Sequence, residues 1–217
     1  KHMPHKNKVG DILRGSFDFN VHSQPDPEDK LRMDALDTGR HAHEAGMAGF
    51  VLKSHYYPTT ALADALNRIY PGLGVSGSIT LNREVGGLNP YAVNTAAETG
   101  ARVVSMPTLS ADFWLNRSGL GQGLKLLGKS GHVVTPIREI LGTIATHNMV
   151  LGSGNISPKE CISLFIAAKE SGVNRLVVTN LVGVATQDEI YQIMSLGAYV
   201  EISLPSCAQS RTPNTST

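Results

Sequence analysis

Where its apolar runs end, this 217-residue chain repeatedly carries side chains able to bind, ligate or move a proton. The first run, FDFNVH, closes on Asn20-Val21-His22, and strand alternation puts Asn20 and His22 on one face. With His at both positions this would be a common start to a metal site; one of the two is Asn. Later runs end in Lys53-Ser54-His55, Asn82-Arg83, Met106-Pro107-Thr108, Gly152-Ser153-Gly154-Asn155 and Thr179-Asn180, and the last carries Glu201 and Ser203. Imidazole suits general acid–base work or metal ligation. A lysine suits anion binding, or imine formation if burial depresses its pKa. Asn and Thr donate and accept hydrogen bonds. One polar strand end proves little, since it also caps the next helix, as Asn155 would two residues before Ser157. Six or seven such ends on one rim point to a functional pocket.

The elements that must carry these residues are marked by a recurring phrase: an amphipathic segment, a glycine, then a short apolar run. It appears as EAGMAGFVLKS, ETGARVVSMPT, ESGVNRLVVTN and SLGAYVEIS. Glycine at this position ends a helix in the left-handed conformation, and the Val/Ile/Leu-rich run after it reads as a strand buried on both faces. Thr135-Pro136 and Ser157-Pro158 mark helix starts, and Ser157/Glu160 and Thr186/Glu189 have capping-box spacing. The spacing predicts strands at 17–22, 49–54, 75–81, 102–107, 149–153, 175–179 and 199–203. Helices are expected at 28–45, 59–69, 89–99, 136–147, 158–171 and 186–196, with a Gly-rich excursion at 119–132. Alternation of this kind implies parallel βα units. No dinucleotide-type glycine turn follows the first strand, so an α/β, TIM-barrel-like barrel is favoured over an open sheet. With about seven units it is short or incomplete. Its chemistry is expected where the strands end. The expected organisation is a tag remnant or flexible start at 1–14, the barrel at 15–204 and a polar tail at 205–217.

Composition removes several classes. Lys plus Arg number 19 and Asp plus Glu 18, with no basic stripe, which argues against nucleic acid. No apolar run approaches the roughly 20 residues of a membrane span, and no signal segment is evident. Cys161 and Cys207 form neither a disulfide framework nor a metal-spaced pair, which suits a reducing cytoplasm. His2 and His5 fall in the remnant, His41 and His43 do not share a helix face, His132 lies in the Gly-rich loop, and His147 ends a helix at the pole opposite the rim.

The segments DFNVHSQPDP, VLKSHYYPT, ITLNREVGGLNPYAV, ARVVSMPT, PIREIL, LGSGNISPKE and VVTNL, in that order, resemble an uncharacterised family of the amidohydrolase superfamily, the DUF6282 type, over residues 15–203. The resemblance implies a barrel hydrolase in which histidines at strand ends hold one or two divalent ions that polarise a carbonyl and activate water. This chain departs from it in one direction. Where the family usually has His-x-His, Gly-His and Thr-His, it has Asn20-Val21-His22, Gly154-Asn155 and Thr179-Asn180. A neutral amide is a poor zinc ligand, and the harder ions want several carboxylates. The expectation is a retained pocket with weakened or lost metal binding. No cofactor is favoured; zinc or manganese remains possible, with His22 and His55 as its ligands.

Three functions stay open. The first is hydrolase-type attack on the carbonyl of a small polar molecule, with Lys53 as an extra ligand (after carboxylation) or a carboxylate anchor. The second is a metal-independent lyase, isomerase or cyclase. There His22, Lys53 and His55 are catalytic, and Asn20, Asn82, Arg83, Thr108, Asn155, Asn180 and Glu201 bind substrate. The third is a ligand-binding pseudoenzyme. Arg83 with Gly86-Gly87 is expected either to hold an anion or to form a tight turn. The absent eighth unit leaves a seam that a second subunit would cover, making a homodimer plausible.

Overall fold

Four of the glycines that punctuate the sequence do stop helices: Gly46, Gly100, Gly172 and Gly197 all have positive φ, between 68° and 98°. The computed structural model of the chain describes residues 8–28, 30–179, 181 and 183–202. Its strands are β1 (Phe17–His22), β2 (Gly49–Lys53), β3 (Gly74–Thr80), β4 (Ala101–Ser105), β5 (Val150–Gly152), β6 (Leu176–Val178) and β7 (Ala198–Val200). Among the described residues they form one parallel sheet in the order β1-β2-β3-β4-β5-β6-β7. The helices are α1 (Lys8–Leu13), α2 (Ala35–Glu44), α3 (Thr60–Ile69), α4 (Pro90–Glu98), α5 (Asp112–Arg117), α6 (Thr135–Thr146), α7 (Pro158–Glu170) and α8 (Gln187–Ser195). Sequential parallel strands with crossover helices give the curled, incomplete α/β barrel expected from the repeat.

Two apolar clusters hold the helices to the sheet. The smaller joins Phe50, Leu52 and Val75 to Ala63 and Leu66 of α3. The larger joins Ile79, Val104 and Leu151 to Ile140, Ile144, Leu164 and Phe165 of α6 and α7. Full burial of each such side chain contributes about 1.5–3 kcal/mol, so these strands are held chiefly by their outer faces. The edges β1 and β7 share no ladder. They meet through a side chain: Asn20 Nδ2 donates to Glu201 Oε1 at 2.7 Å.

Several local expectations are corrected. The helix expected at 28–45 begins only at Ala35, because Asp34 caps it by accepting from Asp37 N. Residues 23–28 and 30–34 instead belong to a strap tied by Gln24 N donating to Met33 O at 3.0 Å. Both capping boxes, Ser157/Glu160 and Thr186/Glu189, are formed. Thr135, by contrast, lies inside α6, whose cap is Val134 without a side-chain bond. α1 falls within the stretch expected as a flexible start, and α5 precedes the Gly-rich excursion where no helix was expected. β7 stops at Val200, so Glu201 follows the strand, its N–H donating to Val178 O at 2.8 Å. Ser203, Cys207, His2 and His5 lie outside the described residues. No helix among the described residues is long and apolar enough to cross a membrane.

Candidate functional site

Parallel strands deliver all their C-terminal ends to one rim, so the residues singled out by type converge by topology. The register pairs His22 with Lys53 and Val21 with Leu52. Between Asp18 and Val21 the ladder slips: Phe19 and Asn20 together oppose Val51. A bulge of this kind re-aims side chains. Here it sends Phe19 into the barrel wall and Asn20 across to Glu201.

The centre of the rim gathers three basic side chains, Lys53 buried and His22 and His55 partly so. The His22 and His55 rings lie 4.7 Å apart between centroids, tilted by 34°. Lys53 is 8 % exposed. Burial holds His22 down to about 4, with the nearby His55 and Lys53 adding to the shift and Asp26 opposing it. His22 is therefore a neutral base at physiological pH. Burial also lowers the Lys53 pKa, against a smaller opposing pull from the Glu201 carboxylate. Desolvation dominates both shifts because removing water disfavours the charged form.

Asn82 braces this cluster. It is fully buried and uses both halves of its amide. Nδ2 donates to His55 O at 3.0 Å and to Thr108 Oγ1 at 2.8 Å; Oδ1 accepts from Thr108 N at 2.8 Å and Ser110 N at 3.1 Å. That exhausts the usual capacity of an amide. Asn82, expected to bind substrate, spends its amide on these protein groups. Thr108 Oγ1 passes the contact on to His55 Nδ1 at 2.8 Å, fixing the ring. Of the two readings of Gly86-Gly87, the tight turn is the one formed. Their N–H groups donate to Arg83 O and Asn82 O, closing a tight turn. Arg83 itself donates through Nη2 to Gln122 O at 2.7 Å, tying the Gly-rich excursion to the rim.

The remaining ends differ in reach. Asn155 is held by its N–H donating to Pro107 O at 2.9 Å. Gly154 before it has φ +64°, and a Cβ there would lie 2.3 Å from Met106 O, so only glycine lets β5 approach the end of β4. Asn180 lies outside the described residues. Glu201 Oε2 is buried and has no hydrogen-bond partner among the described residues. A cavity of about 540 Å³ lies along the open seam, lined by Phe19, Val177, Tyr199 and Glu201 among others. A second of about 360 Å³ opens at the other pole beside Arg102 and His147. His22, Lys53 and His55 line neither; Glu201 alone of the rim set reaches the seam cavity.

The residues do not fit the metal the superfamily resemblance implies. Among the described residues no group of three or more His, Cys, Asp or Glu is close enough to hold an ion. His22 and His55 lack a third partner of that kind, and Asn20 turns its NH₂ group, not its oxygen, to Glu201.

Sequence reasoning missed the strap. Tyr57 Oη donates to Pro25 O at 3.0 Å. The Tyr56 hydroxyl pKa is raised by burial and by the carboxylate of Glu28. The signal was present in HYYP facing PDPE, two tyrosines answering an acidic Pro-rich segment.

Comparison with solved structures finds the same architecture. The probable dipeptidase PvdM from Pseudomonas aeruginosa is 11% identical with a TM-score of 0.56, covering 89% of this chain and 62% of its own. An amidohydrolase from Pseudomonas aeruginosa is 11% identical with a TM-score of 0.56, covering 88% and 63%. A deoxyribose phosphate aldolase from Aeropyrum pernix is 16% identical with a TM-score of 0.46, covering 89% and 78%. The chain thus spans a little under two thirds of both Pseudomonas proteins, and at these identities the likeness is one of fold. No curated protein matches it. A family model described as a family of unknown function, DUF6282, matches residues 15–201, and the chain belongs to that family.

Proposed function

We propose that the chain is a barrel enzyme acting without a metal ion on the carbonyl group of a small polar molecule, with Lys53 as nucleophile and His22 and His55 as acid–base groups. The observation that carries this reading is a buried lysine beside a neutral imidazole. Lys53 has its pKa lowered by burial, and its register partner His22 is held near 4. Burial that disfavours the ammonium makes the free amine more available than in an exposed lysine. The amine adds to the carbonyl carbon and forms a C–N bond. His22 takes the proton lost from nitrogen and returns it to the oxygen, giving the neutral carbinolamine; a second proton, taken up from solvent and delivered through His55, lets the hydroxyl leave as water. The iminium that results draws electrons from the adjacent carbon, the requirement of lyase-type cleavage, and Glu201 supplies a nearby compensating charge. A second reading, water attack on the carbonyl with His22 as base, is favoured by the fold shared with a dipeptidase and an amidohydrolase. The substrate is left at class level.

The test uses the smallest carbonyl. Formaldehyde with cyanoborohydride at pH 7, followed by peptide mapping, should methylate Lys53 faster than the exposed Lys125, whose side chain is 62% accessible. Labelling of Lys53 no faster than Lys125 would remove the imine reading, and His22 would then be left as a base for water.

A further inference from the structure

The seam between β1 and β7, where a complete barrel would carry its eighth strand, is a candidate binding site in its own right. We infer that it takes the apolar body of a small molecule whose hydrogen-bond donor, a hydroxyl or an ammonium, meets Glu201 Oε2. Three observations converge on this. The cavity of about 540 Å³ is lined by the apolar Phe19, Val150, Val177 and Tyr199, with Asn174 and Arg175 as polar groups besides Glu201. Its upper end is Glu201, whose Oε2 is buried without a partner while Oε1 is already held by Asn20 at 2.7 Å. A buried carboxylate oxygen left unpaired costs free energy that a donor on a bound molecule would offset. The third observation is the bulge at Phe19-Asn20, by which one irregularity builds both the apolar wall and the clamp on Glu201.

The chemistry is selective. Glu201 is acceptor-only when ionised. A carboxylate placed at Glu201 would therefore be repelled, and a donor placed there would be held, so an apolar molecule that ends in a donor is preferred at that end of the cavity. Glu201 lines the cavity and its charge also acts on Lys53, so an occupant of the seam is taken to extend from a carbonyl at the rim. That link to substrate rests on the proposed function, whereas binding in the seam does not.

Calorimetry on the full chain with 2-phenylethanol, 2-phenylethylamine and phenylacetate tests the inference. At least one of the two donors should bind ten-fold or more tighter than phenylacetate, and whichever is the tighter tells hydroxyl from ammonium. Glu201→Gln should lose ten-fold or more for that donor, since an amide NH₂ placed at Oε2 faces donor with donor. Val177→Phe should abolish binding by filling the cavity. Equal binding of phenylacetate, no binding by either donor, or an unchanged affinity in a folded Glu201→Gln protein would each overturn the inference. None of these outcomes alters the Lys53 labelling result, so the two readings fail separately.

Discussion

His22 makes acid stability a direct readout of the site. Its pKa is about 4 in the folded protein against an ordinary 6.5, so the unfolded chain takes up a proton that the folded chain resists. Stability then rises with pH wherever the unfolded state binds more protons. The contribution is neutral above pH 6.5, is lost progressively as pH falls through the window to about 4, and levels off below it. At about 1.4 kcal/mol per pH unit the full penalty is about 3 kcal/mol. Between pH 7 and pH 5 the share is about 2 kcal/mol, which for a domain of this size corresponds to about 4–8 °C in Tm.

The perturbation is His22→Asn, which keeps a polar group and removes the titration. Urea unfolding of both proteins at pH 7, 6, 5 and 4.5 gives the difference in stability at each pH, and groups common to both cancel. Whatever constant cost the substitution carries, the variant should gain on the parent by about 2 kcal/mol from pH 7 to pH 5. An NMR titration of the His22 ring should show its midpoint near 4. A pH-independent difference between the two proteins, or a midpoint above 6, would refute the claim that His22 is buried and neutral, and the base assigned to the reaction would go with it.

Asn82→Ala should cost at least about 3 kcal/mol in urea unfolding, because it strands the Thr108 and Ser110 N–H groups and the His55 carbonyl in a buried place; a loss under 1 kcal/mol would mean the brace is dispensable. Gly154→Ala should prevent stable folding or cost well over 3 kcal/mol, since its Cβ would meet Met106 O at 2.3 Å and Pro107 O at 2.4 Å. Gly172→Ala, whose Cβ meets nothing nearer than 3.9 Å, should cost only the about 1–2 kcal/mol of a left-handed alanine; equal costs would contradict the close approach of β4 and β5. Zinc or manganese should leave Tm unchanged within 1 °C, and chelation should do the same. An ion at 100 times its Kd would add about 2.7 kcal/mol, a rise of about 5–11 °C, and such a rise would show that His22 and His55 have ligands not recognised here.

What was legible in the sequence is what is local. The glycine that ends each helix, the Ser157 and Thr186 boxes, and the apolar runs between them act within a few residues, and strand order follows once the crossovers are short. The pairing of His22 with Lys53 was half legible: alternation put Asn20 and His22 on one face, but the bulge that aims Asn20 at Glu201 depends on two residues opposing Val51, a tertiary fact. The helix expected from residue 28 starts too early because the polar residues ahead of Asp34 mimic a helix start, whereas Asp34 alone supplies the cap. Gly86-Gly87 left two readings open because a cradle and a tight turn need the same glycines, and only the destination of their N–H groups separates them.

The asparagines carry the same lesson further. In sequence, Asn20 and Asn82 are alike, each one residue beyond or within the end of an apolar run. In the fold, Asn82 meets four partners drawn from Thr108, Ser110 and His55, so its amide is spent on the protein and cannot recognise a ligand. Asn20 meets one oxygen of Glu201 and leaves that carboxylate's other oxygen unpaired beside the seam cavity. On the proposed reading the pair Asn20–Glu201 recognises at the seam, and His22, Lys53 and His55 react at the rim. Glu201→Gln puts an amide NH₂ where the unpaired oxygen stood and removes a charge that raises the Lys53 pKa, so it should weaken donor binding at the seam and speed Lys53 labelling together.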